Sequence, residues 1–239
     1  FQDHLLTHCD SELITPVVKT LASRANVSVA LNYDHGQEKK YLIKAIDDGF
    51  SSVMIDASRL DFENNIAMTK EIADYAHAHG ASAEGEIGCL GASEGGEFTG
   101  ESMYTDPKQA KEFFERTGID ALAISIGTSH GNYPEGMVPK FDIERLREIK
   151  RLTNAPLVLH GGSGSGEENI LNSVKNGINK INVGCDFMNA NRDATAKLLR
   201  ENPEINYFDL IHKTEKESVG LVKYYIGLSG SAGKNKNLN

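Results

Sequence analysis

Short runs of β-branched and other apolar residues recur along the chain, and each is followed by a stretch in which apolar positions fall at helical spacing. The runs cover residues 27–33, 52–56, 82–86, 121–126, 156–160 and 180–183. Most are continuously apolar rather than alternating and are bounded by Gly or Pro, which is how strands covered on both faces read. Helix starts are signalled at Thr15-Pro16, Asp106-Pro107 and Asp142, where a capping side chain stands before the first turn. Helices opening near Gln37, Asp61, Pro107 and Glu167 run to Gly49, Gly80, Gly118 and Gly177, a residue type suited to the left-handed turn that ends a helix. Repeated βα units predict a parallel sheet with helices outside it, either doubly wound or closed as a (β/α)₈ barrel. Only six strands are evident, whereas a barrel needs eight and about 250 residues. No repeat or linker divides the chain, so residues 1–239 are expected to form one domain with a mobile tail at 229–239.

Composition narrows the class. The apolar set makes 39 % of the 239 residues and 23 glycines add to it, so the chain belongs with globular proteins rather than disordered ones. No apolar run approaches about 18 residues, and the start FQDHLLTHCD lacks a basic and then apolar leader, so neither a membrane span nor a secretion signal is expected. With 25 Lys and Arg against 34 Asp and Glu, the net charge is −9, which argues against a nucleic-acid partner. Cys9, Cys89 and Cys185 are odd in number and have no C-x-x-C spacing, so a disulfide framework is not expected and a reducing cytoplasm is.

Three histidines stand at or just past strand ends, each followed by glycine: His35 in LNYDHG, His130 in ISIGTSHG and His160 in LVLHGG. In a parallel α/β fold those ends converge on the active-site side. A single strand-end histidine more often bonds a loop, but three imidazoles converging describe a catalytic zinc site with an open position. Asp34 beside His35 can serve as a general acid or base, or can cap the following helix. Asp56 and Glu86 also end strands, as outer partners of the metal, alternative ligands or caps. His77 and His79 lie two apart on a helix and face different ways, which gives them no metal role. HGGSGSG, residues 160–166, is a glycine turn between a strand and a helix and suits an anion, and INVGCD, residues 181–186, repeats the arrangement. Neither carries the spacing of a dinucleotide fingerprint, and GSAGK at 230–234 fails the nucleotide-loop pattern because Asn235 follows the lysine. The loop from Ile87 to Asp106 has the length and glycine content of an active-site flap, with Glu94 and Glu97 as its candidate groups.

The segments YDHG, GFSSVMIDAS, EGEIGCLG, MYTDP, IGTSHGNY, LHGGSGS and KINVG stand in the order and at the spacings of the class II, zinc-dependent ketose-bisphosphate aldolases, and the chain resembles that family over nearly its whole length. The resemblance implies a (β/α)₈ barrel without its first two strands, roughly 50 residues being absent before the segment that starts here. It implies one catalytic Zn²⁺ per subunit on His35, His130 and His160, with Asp56 and Glu86 near an alternative metal position. Asp34 would be the acid/base at the C4 hydroxyl, and Glu94 would shuttle the C3 proton of dihydroxyacetone phosphate. Gly131, Gly161, Gly162, Ser163, Asn182, Val183, Gly184 and Cys185 fall on the phosphate and triose contacts, where Na⁺ or K⁺ often sits.

The implied reaction is aldol cleavage of fructose or tagatose 1,6-bisphosphate through a zinc-stabilised enediolate to dihydroxyacetone phosphate and glyceraldehyde 3-phosphate. A cytoplasmic homodimer or homotetramer is implied with it. No lysine ends a predicted strand, which counts against an imine-forming route. Cys185 replaces the family's usual Ser or Thr, and Gly184 matches neither substrate subfamily, leaning toward a tagatose-like or another ketose phosphate. Arg59 and Arg192 are the guesses for the second phosphate. The rival readings are a non-catalytic subunit supporting a partner aldolase and a metal-dependent epimerase or isomerase acting on a sugar monophosphate.

Overall fold

A computed structural model describes residues 9–88, 104–129, 133–134 and 136–235. Six parallel strands, β1 (Asn32–Gly36), β2 (Ser52–Ile55), β3 (Ser82–Ile87), β4 (Ala121–Ile124), β5 (Leu157–Leu159) and β6 (Ile178–Ile181), pair strictly in sequence order. Between them run α2 (Lys39–Asp47), α3 (Phe62–Ala78), α4 (Pro107–Thr117), α5 (Ile143–Thr153) and α6 (Glu167–Lys175), with α1 (Ser11–Ala22) in front and α7 (Cys185–Glu201) and α8 (Tyr207–Leu228) behind. A parallel neighbour in a sheet cannot be reached by a hairpin, so each connection crosses over through a helix. None of the described helices is long and apolar enough to cross a membrane.

The sheet is curled, not flat. In a flat sheet β1 and β6 would lie about 24 Å apart at ~4.8 Å per strand. Yet the Asn182 side chain, just past β6, reaches the Asp34 carboxylate of β1 at 3.1 Å. The six strands therefore form part of a barrel wall, whose C-terminal ends close on one another. Alternation then sorts the side chains. Tyr33, Val53, Ile55, Leu122, Ile124, Leu157 and Leu159 turn outward into the main core against the helices, each fully buried aliphatic contributing about 1.5–3 kcal/mol. The paired register places Met54, Glu84, Glu86, Ala121, Ala123, Val158 and Lys180 on the other, concave side. Only Met54, Ala123 and Val158, with Ala121 partly buried beside them, make an apolar cluster there. The charged residues on that wall are Glu84, Glu86 and Lys180.

Local signals held for several elements. Asp61, Asp106 and Asp142 each accept a backbone N–H in the first turn of α3, α4 and α5. Gly49, Gly80, Gly118 and Gly177 all have positive φ beyond their helices. Three expectations change. The first strand starts at Asn32 rather than residue 27, because Val27 and Val29 stand 53 % and 47 % exposed with no sheet neighbour. The last covers Ile178–Ile181 rather than 180–183, an extra residue being absorbed by a register shift against β5. Thr15-Pro16 lies inside α1, whose cap is Asp10, and Thr15 Oγ1 donates back to the Ser11 carbonyl at 2.7 Å.

Candidate functional site

The strand β1 carries a bulge where the chemistry begins. Tyr33 pairs with Val53 and Gly36 with Ile55, so β1 spends one residue more than β2 over the same span. His35 takes up the excess with φ 49°, a left-handed conformation uncommon for a residue with a side chain. Strict alternation would send Asp34 and His35 to opposite faces. The bulge instead brings both to the mouth of the concave wall, where Asp34, His35 and His160 place donor atoms within 4.8 Å of one another.

The two imidazoles are held from behind. His35 Nε2 faces His160 Nδ1 at 3.0 Å. The other nitrogen of His35, Nδ1, lies 2.8 Å from Asp56 Oδ2, and the other nitrogen of His160, Nε2, lies 2.8 Å from Glu84 Oε1. Glu84 in turn accepts from Lys180 Nζ at 2.6 Å. Asn182 Nδ2 donates to both oxygens of Asp34, at 3.2 and 3.1 Å, and sits 3.1 Å from His160 Nδ1. Each ring thus presents one nitrogen to the same small volume and anchors the other on a carboxylate, the arrangement that orients metal-binding histidines. This donor set fits a divalent ion of the zinc type, with imidazole nitrogen and carboxylate oxygen as ligands. A second overlapping set, His35, Asp56 and Glu86, is equally close-knit. Glu86 is 3 % exposed, and its Oε2 has no hydrogen-bond partner among the described residues.

Electrostatics follow from this crowding. Burial would lower the His35 imidazole, but the Asp56 hydrogen bond and the Asp34 and Glu86 charges outweigh it and raise it to about 9. Burial would raise Asp56, and its bond to His35 brings it down to about 2 instead. Asp34 is also held below its ordinary value, because the His160 and His35 imidazoles and Lys180 overcome its desolvation. At Glu86 the balance is reversed: burial together with the Asp56 charge outweighs the attraction of the His35 imidazole and pushes it up to about 8.

A stability prediction results. The folded metal-free protein holds its Glu86 proton from pH 4.5 up to about 8 and its His35 proton from 6.5 up to about 9, where the unfolded chain has lost both. Stability of the chelated protein should therefore fall as pH rises from 6.5 to 9, by on the order of 3 kcal/mol at His35 alone. Urea unfolding of chelator-treated protein across that range checks it, and a flat or rising curve would contradict it.

Two loops border this volume. In the 160–166 loop, Gly161 has φ 66° and lies so close to the loop after β4 that a Cβ would collide with the Ser129 carbonyl oxygen. Gly162 N–H donates to the Asn182 carbonyl at 3.2 Å, and Ser163 Oγ accepts from Asp186 N–H at 3.1 Å in the first turn of α7. Gly184 precedes that helix and Cys185 opens it. The predicted anion-binding segments are therefore interlocked at the N-termini of α6 and α7, beside His160. Val183 lies between them, in the segment joining β6 to α7. Asn182 points away from the loops toward Asp34 and His160. His77 sits apart, bonded to Asp120 at 2.8 Å.

The candidate residues His130, Glu94, Glu97 and Gly131 lie outside the described residues. Glu84 and Lys180 were not anticipated from sequence. A signal for Glu84 existed: in SAEGEI the two glutamates stand two apart, so both must face one side of a strand with otherwise small or apolar residues.

Solved structures of aldolases are similar to this chain over nearly its whole length. The solved structure titled YdjI aldolase, from Escherichia coli K12, superposes with a TM-score of 0.84 at 33 % identity, over 97 % of this chain and 81 % of that one. A fructose-bisphosphate aldolase from Campylobacter jejuni superposes with a TM-score of 0.77 at 25 % identity, over 95 % and 77 %. The sequence matches the family described as fructose-bisphosphate aldolase class-II across residues 1–234. With the match spanning all six strands and both glycine loops, the chain belongs to the class II fructose-bisphosphate aldolase family.

Proposed function

We propose that the chain catalyses reversible aldol cleavage of fructose or tagatose 1,6-bisphosphate to dihydroxyacetone phosphate and glyceraldehyde 3-phosphate, with one Zn²⁺ held by His35, His130 and His160. The observation that carries this reading is the pair His35 Nε2 and His160 Nδ1, 3.0 Å apart, with each ring braced by its own carboxylate. Zinc held there would supply positive charge to offset the negative charge that develops when the C3–C4 bond beside a ketone breaks. Asp34, kept ionised by its neighbours, accepts the C4 hydroxyl proton in cleavage and returns it in condensation. Asn182 Nδ2 fixes the orientation of that carboxylate. Glu94 is assigned the C3 proton. Gly161, Gly162, Ser163, Asn182, Val183, Gly184 and Cys185, in the segments that lead into two helix starts, are assigned to a phosphate and the triose together with Gly131, and Na⁺ or K⁺ also has a place there. Lys180, on this wall, donates to Glu84 at 2.6 Å, an ion-pair role. We assign the enzyme to the cytoplasm as a homodimer or homotetramer.

Gly184, which matches neither substrate subfamily, supports a second reading within the same chemistry, a different ketose phosphate. One experiment separates the outcomes: metal analysis of freshly purified protein together with a coupled triose-phosphate assay on both bisphosphates, with and without chelator. Chelator-sensitive triose release from either sugar supports the proposal. Bound zinc without triose from either moves the substrate to another ketose phosphate. Protein that binds no zinc and releases no triose overturns the reading in favour of a non-catalytic subunit.

A further inference from the structure

We propose that Glu84, held by Lys180, is a positioning residue that fixes His160 in the tautomer protonated at Nε2 and so aims the Nδ1 lone pair into the site. The inference rests on the reading of His160 as a metal ligand, and it extends that reading to two residues it does not include.

His160 is 1 % exposed and Glu84 2 %, so water cannot set the tautomer. An ionised carboxylate only accepts, hence Glu84 Oε1 at 2.8 Å from Nε2 requires the proton to be on Nε2. The far side agrees: with one Asn182 Nδ2 hydrogen shared by the two Asp34 oxygens, the other faces His160 Nδ1 at 3.1 Å, where a nitrogen bearing a lone pair accepts it. Glu84 serves the two partners through separate oxygens, Oε1 facing His160 Nε2 and Oε2 accepting from the Lys180 ammonium at 2.6 Å. Lys180 reaches it across the concave wall from β6, three strands away from β3. A buried carboxylate serving two donors at once is a device that a neutral amide cannot reproduce, because an amide has a single accepting oxygen.

That limit gives the test. In Glu84→Gln the oxygen turns to the Lys180 ammonium, the stronger charge-assisted partner, and the NH₂ faces His160 Nε2. The proton then moves to Nδ1, and the nitrogen facing the site becomes a donor. Adding Lys180→Met removes the ammonium that competes for the amide oxygen, which can then accept from His160 Nε2.

The measurements are ¹⁵N NMR of the His160 ring in chelated protein and competitive Zn²⁺ binding. Wild type should show Nε2–H. Glu84→Gln should shift the population toward Nδ1–H and weaken zinc about 10–100-fold. The double variant should restore the tautomer and bring affinity back to within a few-fold of wild type, an outcome that simple loss of packing would not produce. A Glu84→Gln protein that keeps Nε2–H, or a double variant as weak as the single one, overturns the inference. Wild type that shows Nε2–H but binds no zinc would instead sink the metal reading, so the two failures are distinguishable.

Discussion

His35→Asn should lower zinc affinity by on the order of 10²–10³-fold and abolish triose release, with the fold retained. Asparagine is chosen for the backbone. His35 sits at φ 49°, and asparagine enters that region more readily than other side chains, so the bulge in β1 survives where alanine would add strain. Its amide can still donate to Asp56, which keeps that buried carboxylate partnered. What disappears is the nitrogen 3.0 Å from His160 Nδ1. A structural zinc site contributes about 10–16 kcal/mol over four ligands, so one ligand accounts for roughly 2.5–4 kcal/mol. Metal stoichiometry after gel filtration, read beside circular dichroism of the chelated protein, checks this. A variant that keeps full zinc and full activity would remove His35 from the ligand set.

The bulge also marks where reading the sequence stops. Six strands, their parallel direction and the Asp caps at Asp106 and Asp142 were legible because each depends on a local pattern: a short apolar run, or an acid before a first turn. The convergence of His35 and His160 was legible too, since topology alone puts strand ends together. A left-handed histidine inside a strand obeys no such pattern. Alternation would have split Asp34 from His35, and only the pairing of Gly36 with Ile55 shows that they share one mouth. Glu84 and Lys180 escaped for another reason. They are 96 residues apart, and they meet only because the sheet curls. Pro16 misled in the opposite direction: it sits at the sixth position of α1, where its missing N–H costs one helical bond, and the cap lies upstream at Asp10. Helix α8 followed from no punctuation rule, since Gly220 and Gly227 interrupt its pattern and both tolerate a side chain there without contact.

Asp34→Asn should cut kcat by about 10²–10⁴-fold while leaving zinc content near that of wild type. The substitution is close to isosteric, and the amide oxygen can still accept from Asn182 Nδ2, so the local geometry has little cause to move. The lost property is the ability to take a proton. At neutral pH wild-type Asp34 is ionised, because the two imidazoles and Lys180 outweigh its burial, and a carboxylate beside the C4 hydroxyl can remove the proton as the C3–C4 bond breaks. The variant separates two roles that the geometry alone leaves joined, for Asp34 also has an oxygen within 4.8 Å of the donor nitrogens of His35 and His160. If Asp34 were a required ligand, zinc affinity would collapse together with kcat, as it should in His35→Asn. A fall in kcat with zinc retained assigns Asp34 to proton transfer, because a neutral amide keeps the shape and the hydrogen bond and lacks only the basicity.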